Sequence, residues 1–279
     1  MSKMYEALKR AQLEGVAVEV SAPVLNGPAL PTVPNEPYDE KPADPEIRQI
    51  PIQIRAGSAV IPWGAASGRA GEQYRIIRTR IVQHPDRPRI MAVSSAGAGD
   101  GKTVSSINIA GALALRDNAN VLLIDADFRR AGVSSTLGLP DSRGLADTLS
   151  GSCSLQEAIV RVEQLPNLYV LTAGASEANP AELLDTDQWK SLCSTVREHF
   201  SFVIIDSPPI AAVADYELIQ ASCDGVIVVV RPDHTDRTLF NKAFELIPEK
   251  KRLGVVLNCA HEWFLWKTHE SYYYDFRRK

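Results

Sequence analysis

Residues 90–103 read IMAVSSAGAGDGKT, the most informative segment of the chain for predicting its fold. Four apolar residues, typical of a buried strand, lead into a glycine-rich loop that ends in Gly101-Lys102-Thr103 before a helix-length segment. Glycines let backbone N–H groups point at phosphate oxygens, the lysine adds positive charge, and the threonine hydroxyl can bind Mg²⁺. The full pattern G-x-x-x-x-G-K-[ST] requires glycine where this chain has Ala96. The strand–loop–helix context still predicts a nucleotide-phosphate site.

Two later apolar runs end in carboxylates. Residues 121–130 read VLLIDADFRR, so Asp125 and Asp127 emerge at a spacing of two and face the same way. Residues 202–209 read FVIIDSPP, which places Asp206 after four apolar residues. Carboxylates beside a phosphate loop are the usual way to hold Mg²⁺, although Asp127 alone could also be a helix cap. Together with the glycine loop, they predict an Mg·nucleotide site.

On either side of these motifs, short apolar runs alternate with helix-length segments over most of the remaining chain. The expected strands are 90–93, 121–124, 168–171, 202–205, 226–230 and 254–257. The expected helices are 72–83, 103–115, 155–162, 186–199, 215–221 and 236–247. Uninterrupted apolar strands between helices predict a doubly wound α/β fold, with a mostly parallel sheet covered on both faces. Ligands bind such sheets beyond the carboxyl ends of the strands.

The N-terminal quarter has a different composition. Residues 1–14 have helical periodicity and predict an amphipathic helix, either a frayed terminus or a docking helix for a partner. Nine of the 18 prolines fall between Pro23 and Pro62, so residues 15–67 are expected to be a Pro-rich flexible linker. The globular domain is expected at 68–260, followed by a tail at 261–279.

Composition excludes several classes of function. A net charge of −4 gives no reason to expect a nucleic-acid partner. The four cysteines are isolated and show neither metal-ligand pairing nor a disulfide framework. No run of about 20 apolar residues is present, so the chain is not expected to span a membrane by itself.

At these motifs the chain resembles the bacterial tyrosine autokinases of capsule and exopolysaccharide systems, relatives of the partitioning and cell-division-site P-loop ATPases. Residues 94–103 look like their Walker A motif, 121–130 like Walker A′ and 202–209 like Walker B, and the similarity extends over about 70–260. The sister ATPases carry a second lysine five positions before the loop lysine, where this chain has Gly97. That difference favours the kinase branch.

The resemblance implies a protein-tyrosine kinase that uses ATP and Mg²⁺. Lys102, Asp125 and Asp127 are the expected catalytic residues, and Thr103, Asp125 and Asp206 the expected metal ligands. The expected ATP-binding residues are Ala98, Gly99, Asp100, Gly101, Lys102, Thr103 and Val104, with Arg231 and Asn258 as neighbours of adenine.

Two further segments match family features. Glu72, Arg75 and Arg78 fit the E-x2-R-x2-R helix by which these kinases pack into rings; without the resemblance this helix would be read as a solvated charged face. The tail contains Tyr272, Tyr273 and Tyr274, which look like a short version of the family's autophosphorylated cluster. An aromatic tail that simply docks on the core is the other reading.

The resemblance also implies partners. Family members are activated by a membrane copolymerase, so a separate transmembrane protein is expected to hold this chain at the inner face of the cell membrane. Two alternatives stay open: an ATP-dependent switch or scaffold with little phosphotransfer, and a small-molecule kinase or amidotransferase-type ATPase.

Overall fold

A computed structural model describes residues 47–54, 58–60, 68–140, 142–175, 179–211 and 214–260. The expected docking helix at 1–14 and the tyrosine tail at 261–279 lie outside the described residues. No helix in the described ranges is both long and apolar enough to cross a membrane.

In the described part of the chain, eight strands form one sheet: β1 (Gln49–Ile50), β2 (Ile90–Ser95), β3 (Val121–Asp125), β4 (Val160–Val162), β5 (Leu168–Leu171), β6 (Phe202–Asp206), β7 (Gly225–Val230) and β8 (Arg252–Leu257). Their order is β1-β4-β5-β3-β6-β2-β7-β8. Every neighbouring pair is parallel except β4 and β5. The expected mostly parallel sheet is confirmed.

The helices are α1 (Arg69–Val82), α2 (Lys102–Ala114), α3 (Val133–Leu137), α4 (Leu145–Leu149), α5 (Leu155–Ala158), α6 (Pro180–Leu184), α7 (Asp187–His199), α8 (Asp215–Ser222) and α9 (Arg237–Glu245), with a 3₁₀ turn at Glu249–Lys251. Side-chain caps begin several of them; Thr186, for example, accepts a hydrogen bond from the Trp189 N–H.

Among the residues that the structure describes, two hydrophobic clusters form the core, one on each face of the sheet. Ile90 and Ala92 of β2 belong to one cluster, whereas Met91 and Val93 belong to the other. Because alternate side chains of a strand point to opposite faces, a strand covered on both sides needs apolar residues throughout. That requirement is why the central strands read as continuous apolar runs.

Two expectations are corrected. The helix expected at 155–162 ends at Ala158, and Val160–Val162 form β4 instead. The β-branched residues there favour a strand, and two of them are buried in it. Part of the segment expected at 15–67 to be a linker belongs to the sheet instead, because Gln49–Ile50 form β1 and pair with β4.

Candidate nucleotide and phosphotransfer site

The three motifs meet at one edge of the sheet. β6 lies between β3 and β2, so Asp206 stands beside Asp125 of β3 on one side and Val93 of β2 on the other. The glycine loop follows β2 directly. This arrangement puts the loop and the carboxylates of two strands at the carboxyl ends where ligands of such folds bind.

The loop has the backbone conformation that glycine permits. Gly99 and Gly101 have φ values of 87° and 90°, in the left-handed region, and α2 begins immediately afterwards at Lys102. The first N–H groups of α2 are therefore directed at the loop, as in anion-binding helix N-termini. A Cβ on Gly101 would collide with the Asn258 side chain.

A buried aspartate ties this loop to its neighbours. Asp100 is 1% exposed, and its Oδ1 accepts a hydrogen bond of 2.7 Å from the Thr235 hydroxyl. The Asn258 side-chain amide donates to the Asp100 carbonyl oxygen at 2.9 Å. The loop is thereby attached to the segment after β7 and to the end of β8.

Asp206 is fully buried and only partly satisfied. Its Oδ1 accepts a hydrogen bond of 3.0 Å from the Ser106 hydroxyl, but its Oδ2 has no hydrogen-bond partner among the described residues. Burial, and then the charge of Asp125, raise the pKa of Asp206 to about 7, against the lowering effect of the Thr103 hydroxyl. Burying a carboxylate oxygen without a hydrogen-bond partner costs free energy unless a bound cation compensates its charge.

These donors fit Mg²⁺. The ion prefers oxygen ligands, and carboxylate and hydroxyl oxygens from Asp206 and Thr103 are of that kind. No group of three His, Cys, Asp or Glu side chains in the described ranges could hold a metal by itself. Mg²⁺ usually takes only one or two protein carboxylates and completes its shell with phosphate oxygens and water, so this small donor set suffices.

Asp125 is held by the start of a short helix. Its Oδ2 accepts hydrogen bonds of 3.0 Å from the N–H groups of Gly132 and Val133, where α3 begins. Its Oδ1 accepts a longer bond of 3.3 Å from the Asp127 N–H. Burial raises the pKa of Asp125 to about 6, although the N–H groups of Val133 and Gly132 act in the opposite direction. The carboxylate is thus fixed in orientation, with Oδ1 the less satisfied oxygen.

Lys102 and Asp127 face each other across the site. The Lys102 ammonium lies 3.8 Å from Asp127 Oδ2, and both residues are buried. Asp127 Oδ1 also accepts a hydrogen bond from the Arg130 N–H at 3.2 Å. All three expected catalytic side chains therefore gather beside the phosphate loop.

Other expected residues stand apart from this cluster. Arg231 is exposed, and its N–H donates to the Thr235 hydroxyl. On α1, Arg75 pairs with Glu72 at 2.9 Å, while Arg78 donates to the Ala112 carbonyl oxygen at 3.4 Å.

Several supporting residues of the site lie outside the sequence motifs. Ser106 follows Thr103 by three helical positions, a spacing that could have identified it as sharing the same side of α2. Thr235 had no such signal, because it reaches Asp100 from a loop 135 residues further along the chain. Gly132 and Val133 lie shortly after Asp125, but α3 has only five residues and is too short to show a helical period that would have predicted its start. Arg129 was quoted only as part of a motif, yet it forms an ion pair of 2.8 Å with the buried Asp215 at the start of α8.

Two comparisons match the amino-acid sequence of this chain to known proteins. A family model described as an AAA domain matches residues 88–243. The tyrosine-protein kinase CpsD of Streptococcus pneumoniae serotype 4 is 35% identical over 196 residues, covering 68% of this chain and 84% of that protein.

Solved structures give the same picture. The crystal structure of the chimerical protein CapA2B2 has a TM-score of 0.69 and 31% identity, covering 75% of this chain and 93% of that one. The septum site-determining protein MinD of Pyrococcus horikoshii OT3, complexed with Mg-ADP, has a TM-score of 0.51 and 25% identity, covering 61% and 71%. The family match spans the phosphate loop and all three carboxylates.

Proposed function

The chain is a member of the bacterial tyrosine autokinase family, and from that premise we propose that it transfers the γ-phosphoryl group of ATP to Tyr272, Tyr273 and Tyr274 in the tails of neighbouring copies. The observation that carries this proposal is the gathering of Lys102, Asp125 and Asp206 around a glycine loop at the start of α2. The reaction in turn would regulate capsule or exopolysaccharide synthesis and export.

The proposed step is a direct displacement. The bond between the γ-phosphorus and the β–γ bridging oxygen breaks, a bond to the tyrosine oxygen forms, and the phenolic proton passes to Asp125. A free tyrosine hydroxyl has a pKa near 10, so a positioned base is needed as the new bond forms. Asp125 suits this role because two N–H groups fix its Oδ2, whereas its Oδ1 accepts one long hydrogen bond, of 3.3 Å, from the described residues.

The remaining residues bind and orient. Mg²⁺, when bound, neutralises charge on the β- and γ-phosphate oxygens, and Thr103, Asp206 and Asp125 are the residues that would hold it. Lys102 would move its charge from Asp127 to the transferring phosphoryl group, since phosphoryl transfer depends mainly on positioning and charge stabilisation.

A variant of the loop lysine tests the proposal. We expect Lys102→Met to lower the rate of tail phosphorylation by about 10²–10⁴, measured with γ-labelled ATP and mass spectrometry of the tail. Lys190→Met is the matched control, because Lys190 is exposed on α7 and forms an ion pair with the exposed Asp187, away from the phosphate loop. Unchanged labelling of the Lys102→Met tail would contradict the proposal.

A mixing experiment tests transfer between copies. Lys102→Met protein with an intact tail is the acceptor, and protein with all three tail tyrosines changed to phenylalanine is the enzyme. We expect phosphate on the acceptor tail. ATP turnover without tail phosphate in the unmodified protein would instead indicate an ATP-dependent switch.

We propose in addition that a separate membrane protein recruits and activates the kinase at the inner face of the cell membrane, and that residues 1–14 bind it. The family resemblance and the amphipathic pattern of this segment support the proposal. A fluorescent fusion lacking residues 1–14 should lose membrane localisation in cells, and unchanged localisation would contradict the assignment of the docking segment.

A further inference from the structure

A segment of the N-terminal arm, residues 47–54, is built onto the edge of the sheet; we call it the strap. The Arg161 N–H donates to the Arg48 carbonyl oxygen at 2.9 Å, and the Glu163 N–H donates to the Ile50 carbonyl oxygen at 3.0 Å. Isoleucines at every second position from Ile50 pack against the core, and Ile52 is only 8% exposed. The strap therefore extends the sheet, and its apolar side chains hold it there.

A glutamine side chain continues this pairing where β4 ends. The Gln164 Oε1 accepts from the Ile52 N–H at 3.0 Å, and the Gln164 Nε2 donates to the Ile52 carbonyl oxygen at 3.1 Å. One amide thus satisfies both backbone groups of a single strap residue, as a neighbouring strand would. Gln164 is the side chain whose loss should release the strap most selectively.

The next residue of the strap holds the end of α3. The Gln53 N–H donates to the Leu137 carbonyl oxygen at 2.9 Å. Gly138 follows with φ of 66°, and a Cβ there would lie 2.7 Å from the Gln53 carbonyl oxygen, so the two backbones are in close contact. The strap is therefore packed against the carboxyl end of this five-residue helix.

The opposite end of α3 supplies the N–H groups of Gly132 and Val133 that bind Asp125. A helix of five residues is about 7 Å long and behaves as one rigid piece, so displacing one end displaces the other. We propose that the strap is a positioning element for Asp125: Gln164 and Gln53 hold α3 in the place from which its first N–H groups orient the carboxylate. This inference rests on the proposed role of Asp125 as the base.

The test uses the full chain carrying Gln164→Ala. We expect faster hydrogen–deuterium exchange in residues 49–54 and also in 132–137. We expect kcat for tail phosphorylation to fall about tenfold, because misplacing a catalytic group by about 1 Å can cost up to 10²-fold. The KM for ATP should not change, since the strap makes no described contact with the phosphate loop.

A matched control and a second variant of the strap accompany Gln164→Ala. Gln188→Ala makes the same change on the exposed face of α7 and should alter neither exchange nor kcat. Gln53→Pro removes the N–H that bonds to Leu137, together with the exposed Gln53 side chain, so it should accelerate exchange in 132–137 and lower kcat even if Gln164→Ala leaves the strap bound.

The outcomes separate the two proposals. Unchanged exchange in 132–137 in both variants, or accelerated exchange there with unchanged kcat, would overturn the positioning role. A fall in kcat that matches a fall in the folded fraction, without a change at 132–137, would overturn it as well. If Asp125→Asn retains full tail phosphorylation, the proposed base is wrong, whereas the exchange measurement still decides whether the strap holds α3.

Discussion

At the scale of single residues, Asp206 combines full burial with an oxygen, Oδ2, that has no partner in the described part of the chain. Such an arrangement stabilises a bound cation and costs free energy without one. We expect Asp206→Asn to lower tail phosphorylation at least 10²-fold while leaving the melting temperature of nucleotide-free protein equal or a few degrees higher. Calorimetry and the labelling assay measure the two effects.

The opposite result is equally informative. If Asp206→Asn melts well below the unmodified protein, the carboxylate serves the fold rather than a cation. Asp187→Asn on the exposed start of α7 should change neither quantity and controls for the amide substitution.

The roles of some site residues could be predicted from the sequence, whereas the roles of others could not. Lys102, Thr103, Asp125 and Asp206 follow apolar strands in a pattern that physical reasoning can interpret, and the structure brings them to one edge. The contact of Thr235 with Asp100 spans 135 residues, so it depends on how two loops fold back and not on local spacing. The role of a residue that acts through such a long-range contact can be assigned only from the three-dimensional structure.

Among the helices and strands, Asp224 joins the starts of β2 and β7 to the last turn of α7. Its carboxylate accepts hydrogen bonds from the N–H groups of Arg89 and Ile90 at β2 and from the Arg197 guanidinium on α7, immediately before β7 begins. Burial alone would raise the pKa of Asp224, but the Arg197 guanidinium and the two N–H groups together hold it below its usual range. A depressed pKa means that folding favours the ionised form.

The sign of the pH dependence follows. The stabilisation from Asp224 is fully present above the pKa of the unfolded chain, near 3.8, and is lost as the pH falls through the lower folded value. We expect Asp224→Asn to lower the free energy of unfolding by about 1–2 kcal/mol at pH 7, allowing for partial solvent screening of the pair.

Urea unfolding between pH 3 and 7 checks this expectation. The difference between Asp224→Asn and the unmodified protein should shrink below about pH 4, whereas Asp187→Asn should differ by under about 0.5 kcal/mol throughout. A difference that grows on acidification would contradict the assignment.

Helices and strands could be predicted from the sequence where the apolar residues of a segment follow one clear pattern. The central strands and the long helices fall within a few residues of their expected bounds. The helix expected at 155–162 was wrong because a capped turn, Ser154 with Glu157, is followed directly by a strand too short to display its own period. β1 was missed because the prolines around it obscured the alternating isoleucines.

At the scale of the whole molecule, α1 offers a test of self-association. Arg75 and Glu72 form an exposed pair, and such pairs contribute little to folding. We therefore expect Arg75→Glu to leave the melting temperature unchanged but to lower the tail-phosphorylation rate about tenfold at submicromolar protein, with recovery at higher concentration.

Light scattering and labelling across a dilution series measure this effect. Arg80→Glu, on the same helix but outside the E-x2-R-x2-R pattern, is the matched control. A labelling rate per molecule that does not depend on concentration in any of these proteins would contradict transfer between copies.

β1 runs opposite to the six parallel strands, since it is parallel to β4 and β4 is antiparallel to β5. Ile47 therefore lies at the end of the sheet where the six parallel strands have their carboxyl ends and where the phosphate loop begins. From there the chain runs through Ile54 toward the opposite end of the strands. If residues 1–14 bind an activator as proposed, Ile47 is where the chain that carries them joins the sheet, at the end where ATP would bind. A covalent tether raises the local concentration of a bound protein without new contacts. Even an activator that binds weakly would then encounter the phosphate loop frequently.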